Sequence, residues 1–205
     1  MDALARLFAT PSLQAARDLI GWRLTLDGVG GAIVETEAYH QEDPASHSFS
    51  GPTPRNAVMF GPPGRVYVYR SYGIHWCVNL VCGPEPGQAV LIRALRPEAG
   101  LDIMRERRGT PDHLLCAGPG RLCQALGVTR AHDGMAIDAA PFALEPPTEA
   151  CGIVVGPRIG ITRAADQPWR FGETGSKFLS RPFPAVQRPA VSAGKARDRS
   201  SMPRP

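Results

Sequence analysis

The sequence contains little lysine, no paired-cysteine motif and no long apolar run. Only Lys177 and Lys195 are lysines, and the other 21 of the 23 basic residues are arginines. None of the five cysteines forms a CxxC pair or has a histidine at zinc-ligand spacing, so we expect no metal site. No apolar run reaches about 18 residues and no secretory leader is visible, which predicts no membrane span and a cytosolic protein with reduced thiols.

The charge of the chain favours a polyanionic partner without establishing one. The formal net charge is +4 and the pI is near 9.0. Guanidinium groups suit planar, bidentate contacts with phosphate, although a compositional bias of the genome would explain the same arginine count. The sequence has no P-loop and no GxGxxG motif, which argues against nucleotide-triphosphate chemistry.

The length predicts one domain followed by a tail. A chain of 205 residues is long enough to bury a sizeable core. Residues 185–205 are mainly Pro, Arg, Ser and Ala, with few large apolar groups. We therefore expect a domain over 1–184 and a flexible basic tail over 185–205.

The segment 33–39 combines two carboxylates with an aromatic ring. As a strand it places Ile33, Glu35, Glu37 and Tyr39 on one face, with the carboxylates about 6 to 7 Å apart. For Glu35 we expect a half-exposed strand edge that faces water. For Glu37, beside Tyr39, both this interpretation and a chemical role stay open.

A β-hairpin is predicted further along the chain. Residues 65–71 and 74–81 have strand patterns, and Gly73 suits the turn between them. Tyr72 then lies at or near the tip. It either folds back onto apolar surface or projects as a wedge into another molecule, for which stacked bases are a suitable target.

The remaining segments are expected to be short helices, strands and one long loop. Thr10 followed by Pro11 is typical of an N-cap and a first helical position, and Gly21 ends that helix. Pro97 is expected to open a helix that Gly109 ends. Strands are predicted over 22–26, 89–95, 137–144, 152–155 and 158–162, and a loop over 40–64.

Two arginine-containing segments have candidate roles. Arg93 interrupts an apolar strand, so it either pairs with a carboxylate such as Glu37 or reaches solvent at the strand end. Gly118 and Gly120 precede a short helix with Arg121 in its first turn. Free N–H groups at such a helix start make an anion seat suited to phosphate.

The loop 40–64 carries an acidic and histidine-containing cluster, formed by Glu42, Asp43 and His47. Such a cluster can hold a metal or form a catalytic relay, but isolated loop histidines are more often plain hydrogen-bonding residues. Without a third soft ligand, we expect hydrogen bonding rather than metal binding. A loop of this length in a compact domain is usually functional or mobile.

Six ordered segments of the chain carry a family resemblance. They are VETEAY at 34–39, TPRN at 53–56, YVYRSYG at 67–73, LIRAL at 91–95, CAGP at 116–119 and LCQAL at 122–126. Together they resemble the alkyladenine (3-methyladenine) DNA glycosylase family. The likeness extends over roughly residues 5 to 180 in the family's order, which a chance motif does not do.

The resemblance implies an α+β fold. Its elements are a single domain with a curved, partly open antiparallel β-sheet or barrel, peripheral helices and a protruding hairpin that inserts into DNA. It also implies that the chain excises alkylated or deaminated purines from double-stranded DNA as a monomer, without a cofactor. We accordingly expect a nucleoid-associated protein in a bacterial cytoplasm, or a nuclear protein in a eukaryote.

The resemblance assigns roles to individual residues. Glu37 matches the general base, and Arg93 matches the arginine that positions the attacking water. The residues that enclose the flipped base are Tyr39, His47, Tyr69 and Asn79, with Asn79 crowding the 2-amino group of guanine.

The resemblance also places DNA contacts around this pocket. Tyr72 matches the side chain that fills the vacated base stack, and Ile161 or Thr162 lies near a backbone carbonyl that touches the water. Apart from the resemblance, we expect Arg55, Arg70, Gly118 and Arg121 at the DNA backbone. Gly118 and Arg121 belong to the anion seat, and Arg70, with Ser71, makes the hairpin more polar than in some relatives, which adds a phosphate contact.

Three alternatives bear on the reaction. A Schiff-base lyase needs an amine in the pocket, and both lysines lie far along the chain from the tyrosines, so we expect a monofunctional enzyme. A non-catalytic nucleic-acid-binding module would use the same basic surface and hairpin. A carbohydrate glycosidase would use Glu35 and Glu37 as its pair, but carboxylates on one strand face usually point in parallel and do not flank a substrate.

Overall fold

Residues 3–184 are described in the computed structural model of the chain. The helices are α1 (Ala3–Ala9), α2 (Ser12–Asp18), α3 (Leu101–Arg108) and α4 (Pro119–Leu126). The strands are β1 (Arg23–Leu26), β2 (Val29–Tyr39), β3 (Val66–Ser71), β4 (His75–Val81), β5 (Ala89–Ala99), β6 (Phe142–Glu145), β7 (Ile153–Gly156) and β8 (Arg170–Glu173). The tail predicted over 185–205 lies outside the described residues.

The eight strands form one antiparallel sheet, in which β2 pairs with three strands, β1, β5 and β8. The main order is β3-β4-β5-β2-β1-β6. The first half of β2 pairs with β1, and the residues Glu35–Glu37 pair instead with β8, which also pairs with β7. Because β2 changes neighbours along its length, the sheet curls into a half-barrel, and the α+β single-domain prediction is confirmed.

The main core lies between this sheet and the helices. Leu19 after α2, Ile33 and Ile92 on the sheet, and Leu122 and Leu126 on α4 are all buried. Each fully buried side chain of this size contributes about 1.5–3 kcal/mol. The sheet is therefore a rigid platform for the polar residues on its other side.

The pairing of β2 with β5 has three register shifts, and two of them lie around Glu35. Ile33 lies opposite Leu95, but the next pairs are Glu35 with Ala94 and Thr36 with Ile92. The intervening Val34 and Arg93 are the extra residues, and a bulge re-aims the side chains around it. Ile33 consequently packs in the core, so the prediction that it shares a face with Glu35 and Glu37 is wrong.

The hairpin prediction is confirmed by the pairing of β3 with β4. The register runs from Val66 opposite Leu80 to Ser71 opposite His75. Tyr72 and Gly73 form the turn with φ values of 50° and 70°. Tyr72 is 85% exposed, so it does not fold back onto neighbouring apolar surface.

Both proline-based helix starts were wrong. Helix α2 begins at Ser12 with Pro11 as its N-cap, because Thr10 instead closes the preceding α1 by donating its hydroxyl to the carbonyl of Leu7 at 2.6 Å. Pro97 lies within β5 opposite Gly31, on a stretch that pairs with β2 alone. The other edge of this stretch has no neighbouring strand that needs a backbone N–H donor. Proline, which lacks that N–H, is therefore tolerated there.

The C-terminal strands also differ from the prediction. Residues 158–162 are irregular, and the predicted strand over 137–144 is reduced to β6 at its end. The strand that completes the sheet is β8, which lies outside the predicted strands. Along residues 3–184, no helix combines the length and apolarity needed to cross a membrane.

Candidate active site

A cleft of about 850 Å³ opens beside the hairpin. Most of the residues predicted to act on a base line it together: Glu37, Tyr39, His47, Tyr69, Tyr72, Asn79 and Arg93. They come from β2, β3, β4, β5 and the loop 40–64, so the curl of the sheet brings them together. Ile161 also lines the cleft, whereas Thr162 does not.

Glu37 lies in the cleft wall with its side chain 0% exposed and three polar partners. Its Oε2 accepts a hydrogen bond from the Tyr39 hydroxyl at 2.9 Å. Its Oε1 accepts one from the backbone N–H of Ile159 at 2.7 Å and lies 3.2 Å from Nη1 of Arg93. A carboxylate has about four acceptor positions, so one position is left for a further donor.

Glu35 is also completely buried, so the prediction of a half-exposed strand edge is wrong. Its Oε1 accepts hydrogen bonds from Nε of Arg93 at 2.9 Å and Nε of Arg170 at 2.8 Å. Ser180 adds its hydroxyl at 2.7 Å and its backbone N–H at 2.5 Å. Glu35 therefore anchors β8 and the segment around Ser180, and does not line the cleft.

The two glutamates and two arginines form a buried network with balanced charge. Burial by itself would lower the pKa of Arg93, but the charges of Glu37 and Glu35 outweigh it and raise that pKa. Burial lowers the pKa of Arg170, with partial compensation from Glu35. The prediction that Arg93 pairs with Glu37 is confirmed, and Arg93 bridges the two carboxylates.

The opposite wall of the cleft is aromatic. The rings of Tyr67 and Tyr69 stack with centroids 5.6 Å apart, and His47 meets Tyr69 edge-on at 4.4 Å. Nδ1 of His47 lies 3.0 Å from the Tyr67 hydroxyl. Asn79 donates to the carbonyl of Tyr67 at 3.1 Å, which fixes its amide beside these rings. The cleft can therefore hold a planar ring between aromatic and amide groups.

Burial shifts the pKa values of three tyrosine side chains and one histidine side chain that line the cleft. It raises the pKa of Tyr67 to about 12, and it raises the pKa of Tyr39 and Tyr69 above their usual value as well. Burial and the charge of Arg55 lower the pKa of His47. All four side chains are thus neutral near pH 7 and act as hydrogen-bonding or stacking groups. In the range 3–184, no three His, Cys, Asp or Glu side chains come together as a metal site would require.

The rim of the cleft is strongly basic. The arginines that line it besides Arg93 are Arg55, Arg70, Arg108, Arg121 and Arg181, whereas Glu37 is the one carboxylate among its lining residues in the described part of the chain. Burial and the nearby charge of Arg121 lower the pKa of Arg108. Clustered guanidiniums without acidic partners attract a polyanion.

The predicted anion seat lies at this rim. Gly118 and Gly120 line the cleft at the start of α4. A Cβ on Gly120 would lie 2.9 Å from His75, so glycine is required for the helix start to approach the hairpin. Arg121 is exposed and donates one hydrogen bond to the carbonyl of Ala117 at 3.3 Å, which leaves its other donors free.

Sequence reasoning missed the residues that hold the site from the C-terminal side. These are Ile159, whose N–H contacts Glu37, Arg170 and Ser180, which contact Glu35, and Arg158, which pairs with Asp43. Arg158 begins a predicted strand and Arg170 lies outside the predicted strands, so neither carries the signal that identified Arg93, an arginine inside an apolar strand. Ile159 acts through its backbone N–H, which leaves no signal in a single sequence, and Ser180 uses both its hydroxyl and its backbone N–H.

Comparison with known proteins shows the family of the chain. A family model described as methylpurine-DNA glycosylase (MPG) matches residues 6–177. The chain belongs to the methylpurine-DNA glycosylase family. The resemblance seen in the sequence motifs is confirmed, and a DNA glycosylase is a hydrolase that acts on DNA.

Several bacterial relatives are similar over nearly their whole length. A protein of Nitrosospira multiformis is 63% identical over 178 residues, which are 86% of this chain and 92% of that protein. One of Rhodopseudomonas palustris is 62% identical over 179 residues, 86% of this chain and 87% of that protein. One of Agrobacterium fabrum is 57% identical over 182 residues, 88% and 93% of the two chains. Each is named "Putative 3-methyladenine DNA glycosylase".

Proposed function

We propose that this glycosylase flips alkylated or deaminated purines out of duplex DNA and hydrolyses their N-glycosidic bond. The substrate class is that of 3-methyladenine, 7-methylguanine and hypoxanthine, and the product is an abasic site that initiates base excision repair. The observation that carries the proposal is Glu37, a buried carboxylate held between Arg93, Tyr39 and a backbone N–H in the wall of an aromatic cleft.

Glu37 is the general base and Arg93 its positioning partner. Departure of the purine leaves an oxocarbenium-like sugar, which a carboxylate stabilises while it activates water. Three of the acceptor positions of Glu37 are occupied, and the fourth suits the attacking water. The guanidinium of Arg93 favours the ionised carboxylate that this step needs.

The flipped base is enclosed by Tyr39, His47, Tyr69 and Asn79. Aromatic rings stack on any purine, and stacking on a cationic, alkylated purine is stronger through cation–π attraction. Burial raises the pKa of Tyr39 and Tyr69, so both hydroxyls stay protonated beside the base. Asn79 stands beside the rings, where it opposes the 2-amino group of an undamaged guanine.

The hairpin and the basic rim stabilise the DNA while one nucleotide is flipped out of the duplex. Extruding a nucleotide costs a few kcal/mol, least for damaged or mismatched pairs. Tyr72, 85% exposed at the tip, fills the vacated stack and offsets part of that cost. Arg55, Arg70, Gly118 and Arg121 surround the cleft and contact the phosphates.

The decisive experiment uses a panel of duplex oligonucleotides, each with one lesion, followed by alkali to reveal abasic sites. We expect cleavage at alkylated or deaminated purines and none at undamaged purines. Glu37→Gln should lower the excision rate by at least about 100-fold and keep binding to lesion DNA. Equal activity of Glu37→Gln and the wild type would overturn the catalytic assignment.

Two further outcomes separate the alternatives. A non-catalytic nucleic-acid-binding module would bind the panel without releasing any base, and Glu37→Gln would leave its function intact. A lyase would form a covalent adduct that borohydride traps. We expect no adduct, because Lys177, the one lysine among the described residues, does not line the cleft.

A further inference from the structure

A second buried ion pair lies behind the cleft, between Asp43 and Arg158. Both side chains are 0% exposed, and the two carboxylate oxygens each accept from one Nη of the guanidinium. Arg158 also donates to the carbonyls of Ala38 at 3.1 Å and Ala164 at 3.4 Å. A bidentate, buried pair with further hydrogen bonds is a rigid connection, not a surface contact.

The guanidinium of Arg158 is also in contact with two aromatic rings. It lies 4.6 Å from the ring centroid of Tyr39 and 4.8 Å from that of Trp169. The first of these is the ring whose hydroxyl donates to Glu37. Planar stacking of this kind restricts the Tyr39 ring in a way that a flexible ammonium does not.

The pair joins three segments of the cleft wall. Asp43 belongs to the loop that carries His47, and its Oδ1 also accepts from the backbone N–H of Ala45 at 3.0 Å. Ala38, which accepts from Arg158, follows Glu37 on β2. Arg158 precedes Ile159, whose N–H contacts the Glu37 carboxylate. Loss of the pair would release all three segments at once.

We propose that Arg158, held by Asp43, is a positioning residue that sets the geometry of Glu37 and Tyr39 for base excision. It touches neither DNA nor the reacting atoms, and it acts through the Tyr39 ring and the Ile159 backbone N–H. The proposal rests on the function proposed above. Misplacing a reacting group by about 1 Å costs on the order of 100-fold in rate, so the effect is measurable.

The test compares Arg158→Lys, Arg158→Met and Asp43→Asn with the wild type in single-turnover excision, over a range of enzyme concentrations. We expect the saturating rate to fall by about 10- to 100-fold in each variant, while the half-saturating concentration changes by less than about threefold. Lysine should not restore the rate, because it keeps the charge but not the planar, bidentate geometry. Each rate is measured well below the variant's melting temperature and divided by its folded fraction.

The matched control is Arg105→Met. Arg105 on α3 forms exposed pairs with Asp102 and Asp112 and does not line the cleft, so its loss should leave the rate unchanged. Wild-type rates in Arg158→Lys and Asp43→Asn would overturn the proposal, as would losses that vanish after correction for folding. The wild type and Glu37→Gln test the function separately, since only their result shows whether the chain excises bases at all.

Discussion

At the scale of single residues, the surroundings of two glutamates on one strand give them different roles. Glu37 lines the cleft and keeps one free acceptor position, whereas the oxygens of Glu35 accept from Arg93, Arg170 and Ser180. Glu35 is fully buried, accepts four hydrogen bonds and does not line the cleft, so it cannot reach a nucleotide bound there. Glu35 is therefore a structural anion, and its replacement should affect folding first.

We expect Glu35→Gln to lower the free energy of unfolding by about 3–5 kcal/mol, the usual cost of breaking a buried ion pair by removing one partner. The loss leaves the buried guanidiniums of Arg93 and Arg170 with too little negative charge. The change in the free energy of unfolding is measured by urea unfolding. The control is Asp102→Asn, in an exposed pair with Arg105, which should cost less than about 1 kcal/mol. Equal effects of the two substitutions would contradict a buried structural role for Glu35.

The folded-state pKa of His47 makes stability depend on pH in a predictable direction. Burial and Arg55 lower this pKa from 6.5, so between the lowered and the ordinary value the unfolded chain binds more protons than the folded one. Stability contributed by neutral His47 is complete above pH 6.5 and is lost as the pH falls toward the folded-state pKa. On going from about pH 7.5 to 5.5, the wild type should lose more stability than His47→Gln, as measured by urea midpoints. Parallel losses would show that His47 does not contribute.

The sequence predicted the chemical residues better than the residues that support them. Period two put Glu37 beside Tyr39, and an arginine in an apolar strand had to find a carboxylate, so both the cleft glutamate and Arg93 were predictable. The burial of Glu35 was not predictable, because a strand pattern shows which face is polar but not which residues cover that face. The partners that cover it, Arg170 and Ser180, lie 135 and 145 residues further along the chain.

At the scale of elements, the hairpin was predictable and the helix starts were not. Alternation and a glycine define a hairpin locally, whereas Pro97 is compatible with both a helix start and an unpaired stretch of strand. Its actual place depends on β4, which pairs with β5 only at Ala89–Leu91. The bulges at Val34 and Arg93 were also not predictable from the sequence, because they exist only in the pairing of two strands that lie far apart in the chain.

The hairpin tip should affect DNA binding without affecting the fold. Tyr72→Asn removes the ring and suits the left-handed backbone, which has a φ of 50°. We expect affinity for lesion DNA to fall by about 1–3 kcal/mol, the usual contribution of one stacking aromatic, with an unchanged melting temperature. Fluorescence anisotropy with a labelled duplex measures the affinity. Tyr72→Phe, which keeps the ring, is the matched control, and a loss of affinity in it would argue against stacking.

At the scale of the whole molecule, the modest net charge conceals a polarised surface. The chain carries +4 in total, yet six arginines and one carboxylate line the cleft within the described residues. The composition shows the excess of arginine but not where the arginines lie in the fold. The location follows from the curl of the sheet, which gathers residues between positions 37 and 181 around one opening.

Each arginine that we propose to contact phosphate should contribute to the salt dependence of DNA binding. Arg121→Gln removes one such charge, so the slope of log Kd against log salt concentration should decrease by about 1 for damaged and undamaged duplexes alike. Arg105→Gln is the control, since Arg105 lies outside the cleft and should keep the wild-type slope. A change confined to damaged DNA would mean that Arg121 contacts the lesion rather than the backbone.

The contact between Glu35 and Ser180 has a consequence for synthesis of the protein in the cell. Glu35 leaves the ribosome early, but its network is complete only after Arg170 and Ser180 have emerged.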